Sequence, residues 1–167
     1  METKFTPWRM AYIQQPSQRP AFEGCILCGL HEADPANDAA NLVLYRGTTC
    51  YIVQNLFPYN TAHLMIVPYH HTADLPALAH AVADELFTLT RRCVEVIRNE
   101  YRPEGFNMGM NLGRLAGAGI DEHLHMHIVP RWTGDANFMA IVGATKLVPE
   151  ALEQTYRRLK PLFERPN

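Results

Sequence analysis

Three histidines alternate with apolar residues in the C-terminal half of the chain, and this alternation restricts the local fold more than any other feature of the sequence. His123, His125 and His127 are three of the eight histidines. In a β-strand, successive side chains point to opposite faces, so the three imidazoles would share one face at a spacing of roughly 6–7 Å. So regular a row of polar rings indicates a chemical role. The opposite face would carry Leu124, Met126 and Ile128.

The composition is typical of a globular chain with a single domain. Of its 167 residues, 47% are hydrophobic and 19% are charged, and a chain of this length can bury its own core. The formal net charge of -2 argues against broad nucleic-acid binding, which requires a basic face. The sequence has neither an apolar run long enough to span a membrane nor a signal peptide. We therefore expect a cytoplasmic protein with no membrane partner.

Hydrophobic periodicity predicts an α+β fold, in which an antiparallel sheet of about five strands is joined by a long helix and a C-terminal helix. Residues 1–24 contain three prolines and little periodicity, so we expect an extended arm followed by one domain at 25–167. Residues 31–41 are expected to form a polar loop without secondary structure. The predicted strands are 42–45, 51–53, 63–68, 106–112 and the histidine segment (123–132), and the predicted helices are 76–100, capped by Asp74, and 149–163.

A loop of small residues precedes the histidine segment. Residues 113–119 include three glycines and two alanines, which allow a ligand to approach the backbone closely. Consecutive N–H groups in such a loop can form an anion-binding nest. Although most glycine-rich loops mark tight turns, this one leads the chain directly to three histidines on one face. Its position favours phosphate binding.

Three interpretations of the histidines compete. As polar residues of a half-buried strand they would need no function, but the strict alternation of three makes this interpretation weak. As ligands of a catalytic metal, neighbours at i and i+2 can converge, whereas a third ligand at i+4 lies too far along the strand. As a nucleophile, one imidazole would attack phosphorus, because its pKa near neutrality supplies the free base. The strand geometry and the glycine loop favour the nucleophile.

A second motif, the Cys25-x-x-Cys28 pair, is ambiguous from the residues alone. In a cytosolic chain this spacing is typical of a metal site or a redox pair, and two incidental cysteines are the third alternative. Cys50 and Cys93 lie in apolar periodic stretches, so we expect both in the core.

The sequence resembles the histidine triad superfamily over almost its whole length. His123–Val129 matches the signature of that superfamily, in which three histidines alternate with apolar residues. Asn55 and the block 60–68 match its Asn and Gly-His-apolar-Pro elements, with Ala62 in the usual glycine position. Residues 111–119 correspond to its phosphate loop. Within the superfamily, the branch of bacterial diadenosine tetraphosphate phosphorylases is similar over residues 6–10 and 130–138.

This resemblance implies a nucleotidyl transfer in two steps. His125 would attack the α-phosphorus of a nucleotide and form a nucleotidyl-histidine intermediate, which inorganic phosphate or water then cleaves. His127 would contact the phosphoryl oxygens or the leaving group, and a backbone carbonyl would fix the tautomer of His125. Hydrolases of the family often have Gln where this chain has Gly119. Substrate contacts are expected from Asn55, Asn111, the backbone of Gly117, Ala118 and Gly119, and Trp132 as a base-site or gate residue.

The resemblance also completes a metal site. Zinc-bearing relatives combine a cysteine pair with a histidine after the third strand and with the first histidine of the triad. Such relatives also pair through the long helix and the edge of the sheet, so we expect a homodimer or a higher homo-oligomer. The implied structural Zn²⁺ ligands are Cys25, Cys28, His71 and His123, with His70 as the alternative to His71, whereas His31 and His80 are expected at the solvent.

Three functions remain open at this stage. The first is cleavage of dinucleoside polyphosphates, with phosphorolysis of diadenosine tetraphosphate to ADP and ATP. The second is hydrolysis of diadenosine polyphosphates or nucleoside phosphoramidates. The third is non-catalytic nucleotide binding, which an intact triad disfavours because a binding protein has no need of His125. The preference for phosphate over water as the acceptor rests on the branch resemblance alone.

Overall fold

A five-stranded sheet is the centre of the computed structural model, which describes residues 24–135 and 150–165. The strands are β1 (Val43–Arg46), β2 (Cys50–Gln54), β3 (Leu64–Pro68), β4 (Gly105–Gly109) and β5 (Met126–Arg131), and the helices are α1 (Ile26–Glu32), α2 (His80–Tyr101) and α3 (Leu152–Glu164). The strand order is β1-β2-β3-β5-β4, and all neighbouring strands are antiparallel. Within the described ranges, no helix has the length and apolar character needed to cross a bilayer.

The α+β prediction is confirmed, and each predicted strand overlaps an observed one. The predicted hairpin is β1 and β2, and the two predicted helices are α2 and α3. Apart from Gly24, the predicted N-terminal arm lies outside the described residues. The division into an arm and one domain therefore stays a prediction.

The long helix begins later than its apolar pattern indicated. α2 starts at His80 with Ala79 as the N-cap, and no side chain caps it, so the prediction of Asp74 as the cap is wrong. The apolar residues before His80 belong instead to a turn, in which the Leu78 N–H donates to the Leu75 carbonyl. Leu78 is buried, so it continues the apolar pattern without being helical.

Two further predictions need correction, one near the cysteine pair and one at the histidine segment. The prediction of a loop without secondary structure at 31–41 is wrong, because α1 extends to Glu32 and Pro35–Asn37 form a 3₁₀ turn. α1 buries Leu27 and Leu30 against the sheet, and its two turns are too short to show a helical period. The histidine segment joins the sheet only at Met126. Before Met126 the hydrogen-bond ladder between β5 and β3 has stopped. β3 ends at Pro68, which has no N–H to continue that ladder. The Leu124 N–H donates instead to the Thr72 carbonyl.

Two layers of side chains cover the sheet. On the back face, Cys50 lies against α2, with its Sγ 3.7 Å from the Val82 carbonyl. α3 packs beside α2 and β1, and its Tyr156 hydroxyl donates to the Val43 carbonyl at 3.1 Å. On the front face, α1 covers Tyr51, whose hydroxyl donates to the Leu27 carbonyl at 2.7 Å. The helical residues buried in this core include Leu86, Leu89, Cys93 and Ile97 of α2 and Leu159 and Phe163 of α3.

The strand register places a histidine in the middle of the front face. Val53 of β2 lies opposite Met65 of β3, which lies opposite His127 of β5. His127 in turn lies opposite Gly109 of β4. Because residues directly opposite each other share a face, His127 has apolar side chains on one side and a glycine on the other. The front face is therefore open around this histidine.

The carboxylate of Glu85 joins α2 to the turn between β1 and β2. It accepts hydrogen bonds from the N–H groups of Thr48 (2.8 Å), Thr49 and Cys50 (3.1 Å) and from the Thr49 hydroxyl. A Cβ atom at Gly47 would lie 2.5 Å from its Oε1, so the turn needs glycine there. Burial would raise the pKa of Glu85, but the hydrogen bonds from Thr49, Thr48 and Cys50 outweigh burial and keep this pKa below its ordinary value. The ionised carboxylate fixes the turn against the helix.

Replacing Glu85 by Gln should lower the free energy of unfolding by about 1–3 kcal/mol, because the new amide group would face backbone donors that the carboxylate now satisfies. Urea denaturation at pH 7 measures the change. The matched control is Asp84→Asn at the exposed neighbouring position, which should change stability by less than about 0.5 kcal/mol. The difference between wild type and Glu85→Gln should shrink as the pH falls through the lowered pKa of Glu85, because the carboxylate then becomes protonated in the folded state. Equal effects of the two substitutions would contradict this role.

Candidate active site

His125 is held in one tautomer by the backbone. Its Nδ1 lies 2.9 Å from the carbonyl oxygen of His123, and because a carbonyl can only accept, Nδ1 carries the proton. The unprotonated Nε2 atom therefore has a free lone pair. The residue is 6% exposed and lines the cleft on the front face, so the lone pair belongs to a buried nucleophile with a single direction of attack.

His127 is fixed in the opposite tautomer by a fourth histidine. The backbone N–H of Tyr59 donates to Nδ1 of His63 at 3.0 Å, so the proton of His63 is on Nε2. That Nε2 lies 2.9 Å from Nδ1 of His127 and donates to it. His127 consequently carries its own proton on Nε2. In the cleft, Nε2 of His125 thus offers a lone pair, whereas Nε2 of His127 offers a proton.

His63 was not among the residues singled out as functional from the sequence. It is fully buried, and Asn55 also contacts its Nδ1, at 3.3 Å. The signal that could have identified it is its place in the block 60–68, where a histidine precedes a run of apolar strand residues. Its partner His127 is 64 residues away in the sequence, so spacing alone does not connect them.

Burial keeps both front-face histidines neutral. It lowers the pKa of His125 from its ordinary value. Burial, together with the charge that His125 would carry, lowers the pKa of His127 to about 4. The rings lie edge to face with their centroids 4.7 Å apart, so protonation of one disfavours protonation of the other. Near pH 7 the nucleophile is therefore present as the free base.

A cleft of about 710 Å³ extends from these histidines across the front face, within the usual size range of small-molecule sites. It brings together Asn55, Asn111, Gly117, Gly119, His125 and His127 of the predicted site. Trp132 is not among the lining residues. It follows the end of β5, where its N–H donates to Asp135 Oδ2 at 2.9 Å.

The glycine loop forms one wall of the cleft through a tight turn. Gly113 and Gly117 have φ angles of 81° and 88°, a region that glycine adopts without strain, and Arg114–Ala116 form a 3₁₀ turn between them. The N–H of Gly117 already donates to the Arg114 carbonyl at 3.0 Å. Amide donors for an anion are therefore expected from the residues after Gly117, which include Ala118 and Gly119.

The far end of the cleft is apolar, which the sequence did not reveal because its residues come from four separate segments. No Lys or Arg is found among the described lining residues, and Asp121 and Glu122 lie at the rim. Among the described lining residues, the groups able to bind a phosphate are therefore neutral N–H donors. The apolar wall includes Leu27 and Leu30 of α1, Leu42 before β1, Val53 of β2 and Met65 of β3.

Four side chains near the start of the histidine segment are able to hold a metal ion. One ligand atom from each of Cys25, Cys28, His71 and His123 lies within 4.8 Å of all the others. Nδ1 of His123 is 3.4 Å from Cys25 Sγ, and Nδ1 of His71 is 3.3 Å from Cys28 Sγ. The neighbouring His70 is exposed and is not part of this cluster.

The hydrogen bonds around the cluster suit a cation. Nε2 of His123 donates to the Pro68 carbonyl at 2.9 Å, so the lone pair on Nδ1 is turned to the sulfur atoms, as the outer hydrogen bond of a metal-ligating histidine requires. Without a cation, burial and the neighbouring Cys25 raise the pKa of Cys28 to about 11. Burial lowers the pKa of His123 to about 4. Two cysteines, which bind a metal as thiolates, and two neutral imidazoles are a donor set that Zn²⁺ commonly binds.

The expectation that His31 faces solvent is wrong, whereas His80 is exposed as expected. The imidazole of His31 is half-buried, with ring centroids 5.0 Å from Tyr69 and 6.0 Å from Tyr51. Burial lowers its pKa. It packs the C-terminal end of α1 against the sheet, and Cys25 and Cys28 lie at the other end of this helix, as its N-cap and in its first turn.

Comparison with known proteins agrees with this geometry. The family model described as "HIT domain" (histidine triad) matches residues 36–134. An AP-4-A phosphorylase of Mycobacterium tuberculosis is 42% identical over 161 residues, which is 95% of this chain and 83% of that protein.

Two crystal structures show the same fold. A Zn-bound histidine triad family protein from Mycobacterium smegmatis has a TM-score of 0.66 at 22% identity, covering 84% of this chain and 93% of that one. A hypothetical histidine triad nucleotide-binding protein from Sulfolobus tokodaii has a TM-score of 0.63 at 23% identity, covering 83% and 89%. From the family match and the 42% identical relative together, we conclude that this chain belongs to the histidine triad (HIT) domain family.

Proposed function

We propose that this protein is a nucleotidyl transferase that cleaves diadenosine tetraphosphate, with inorganic phosphate as the acceptor and ADP and ATP as the products. The observation on which this depends is the tautomer of His125, whose Nε2 lone pair is available in a buried cleft. The similarity to the mycobacterial AP-4-A phosphorylase supports the substrate and the acceptor. The intermediate is nucleotidyl-His125.

In the first step, the Nε2 lone pair of His125 attacks the α-phosphorus. An N–P bond forms, the P–O bond to the β-phosphate breaks, and its electron pair leaves with the oxygen of ATP. The Nε2 proton of His127 stabilises this leaving oxygen through a hydrogen bond, since its Nδ1 is already occupied by His63. Because the donor is neutral, it needs no prior protonation at neutral pH.

In the second step, an oxygen of inorganic phosphate attacks the same phosphorus. A new P–O bond forms, the N–P bond breaks, and its electron pair returns to Nε2 of His125. The product is ADP. The carbonyl of His123 accepts the Nδ1–H of His125 throughout and stabilises the ring while it is positively charged in the intermediate. With water as the acceptor, the same step would give AMP.

The substrate is proposed to lie with its retained nucleoside at the apolar end of the cleft. Val53, Met65 and Leu42 offer a surface for a base, and Asn55 and Asn111 offer polar contacts to the ribose or the α-phosphate. Amide groups of Ala118 and Gly119 would bind the phosphoryl oxygens, each worth about 3–4 kcal/mol if they act as oxyanion donors.

The Cys25, Cys28, His71 and His123 cluster is proposed to hold a structural Zn²⁺. When bound, the metal would supply a cross-link between α1 and the segment that precedes the nucleophile. Two thiolates and two imidazoles complete a tetrahedral set, which is typical of structural rather than catalytic zinc. A cytoplasmic location is proposed with this site, because cysteines that bind Zn²⁺ must stay reduced and that compartment keeps thiols from forming disulfides.

A second copy of the chain is proposed to cover the β4 edge of the sheet. Among the described strands, β4 is the outermost on this side, and Met108 on it and Phe87 on α2 are 54% and 63% exposed. Unpaired strand edges and large exposed apolar side chains favour association. Light scattering of the purified protein tests this proposal, and a monomeric mass at micromolar concentration would contradict it.

Incubation with diadenosine tetraphosphate should yield ADP and ATP only when inorganic phosphate is present, because nucleotidyl-His125 needs that acceptor for phosphorolysis. Separation of the nucleotides by anion-exchange chromatography is the measurement. Formation of AMP without phosphate would instead identify a hydrolase. Absence of turnover with retained nucleotide binding would identify a non-catalytic nucleotide-binding protein.

His125→Ala should lower turnover by at least ~10³-fold while nucleotide affinity changes little, since the nucleophile is lost and the cleft is kept. Quenched-flow analysis should also show that no labelled nucleotide becomes attached to the variant. Turnover near the wild-type rate would refute the assignment of the nucleophile.

The companion variant His63→Phe separates the role of the fourth histidine from folding. It keeps a buried ring but no longer orients His127, so kcat should fall by about 10-fold or more with diadenosine tetraphosphate. The loss should be smaller with the p-nitrophenyl ester of AMP, whose leaving group needs little hydrogen-bond assistance. Equal losses with both substrates, or a collapsed melting curve, would assign His63 a purely structural role.

The purified protein should contain about one zinc per chain, measured by inductively coupled plasma mass spectrometry. His71→Gln should lose the metal and lower the melting temperature, because one of four ligands is removed. The matched control is His70→Gln, which changes the adjacent histidine outside the cluster and should keep the metal. Metal-free wild-type protein that folds normally, or equal metal loss in both variants, would contradict the proposed site.

A further inference from the structure

Tyr59 presents an open aromatic ring to the cleft beside the reacting histidines. Its side chain lines the cleft, and the residue is 36% exposed. The ring stacks on His63 with centroids 5.1 Å apart and planes within 17°, and its centroid is 6.2 Å from that of His127. Because His63 covers one face of the ring, the exposed area belongs to the other face and to the edge.

The orientation of His63 does not require an aromatic side chain at position 59. Tyr59 orients His63 through its backbone N–H, which any residue except proline could supply. Other tyrosines of the chain are used differently: Tyr51 and Tyr156 are buried and donate their hydroxyls to backbone carbonyls. A ring that is fixed on one face and open on the other is suited to stacking with a planar ligand.

The position of the ring indicates which part of a substrate it would meet. In phosphoryl transfer the attacking and leaving atoms lie roughly in line across phosphorus, so the leaving nucleotide points away from His125. His127, which contacts the leaving oxygen on the proposed function, neighbours both His125 and Tyr59, with its ring centroid 4.7 Å and 6.2 Å from theirs. The apolar end of the cleft is already assigned to the retained nucleoside.

The loop that contains Tyr59 is anchored firmly enough to position a ligand. Asn60 donates from Nδ2 to the Pro130 carbonyl at 3.0 Å and to Asp135 Oδ2 at 2.7 Å. Asp135 also accepts from Arg131 Nε and from the Trp132 N–H, both at 2.9 Å. The loop is therefore fixed to the end of β5, so the ring of Tyr59 does not have to be ordered when a substrate binds.

We propose that Tyr59 stacks with the base of the leaving nucleotide and thereby determines the preference for substrates that end in a second nucleoside. This inference rests on the proposed function, since it takes its direction from the role of His125. It names the second base of a dinucleoside polyphosphate as the group that Tyr59 recognises.

The test compares two ligands that differ only in the second adenosine, diadenosine tetraphosphate and adenosine 5′-tetraphosphate. Binding is measured by calorimetry in the inactive His125→Ala background, with Tyr59 unchanged or replaced by Leu or by Phe. Tyr59→Leu should weaken the binding of diadenosine tetraphosphate by about 5- to 150-fold, the factor expected for loss of one base–aromatic stack. Binding of adenosine 5′-tetraphosphate should change by less than about 2-fold, and Tyr59→Phe should bind both ligands as Tyr59 does.

Two outcomes would overturn the proposal. Equal weakening of both ligands would show that Tyr59 acts through His63 and the phosphate site, and unchanged binding of both would show that the ring meets no part of the substrate. Because these measurements need no turnover, failure of the proposed reaction would appear separately, as the absence of ADP formation in the wild-type protein.

Discussion

The hydrogen bond from Nδ1 of His125 to the carbonyl of His123 is the interaction on which the proposed chemistry depends. It connects two sites through one residue, because the imidazole of His123 points to the cysteine cluster while its carbonyl orients the nucleophile. Both groups belong to a segment that has left the sheet ladder and is attached to Thr72 instead. Order in the cluster of Cys25, Cys28, His71 and His123 and the orientation of His125 are therefore coupled within a single residue, His123.

Placement of protons, rather than of charges, distinguishes the histidines of this protein. His123 and His125 each donate to a backbone carbonyl. His63 accepts from a backbone N–H at Nδ1 and therefore donates from Nε2 to Nδ1 of His127. Backbone groups cannot change their role as donor or acceptor, so each tautomer is determined by the fold. Neighbouring rings on one face can thus perform different tasks although their side chains are identical.

The sequence predicts most of the fold and only part of the candidate site. Alternation correctly put His125 and His127 in one cleft, but His123, which was predicted on the same strand face, lies in the cysteine cluster because the strand begins only at Met126. The cysteine spacing together with the family resemblance identified the four residues that cluster in the structure. The role of His63 and the apolar end of the cleft escaped prediction, because they depend on strand register and on contacts between distant elements. α1 was missed because seven residues are too few for a period to be recognised, and Leu78 made α2 look longer than it is because a buried turn residue continues the apolar pattern.

β3 is only five residues long and fully buried, yet the chain at its two ends orients both halves of the site. His63 precedes its first residue and fixes His127, and the carbonyl of Pro68, its last residue, fixes His123. The length of the strand thus sets the separation between the imidazoles of His127 and His123. An insertion or deletion of one residue within β3 would shift one end relative to the other and reverse which side chains face the cleft. We therefore expect β3 to tolerate a change in the volume of one side chain better than a change in the length of the strand.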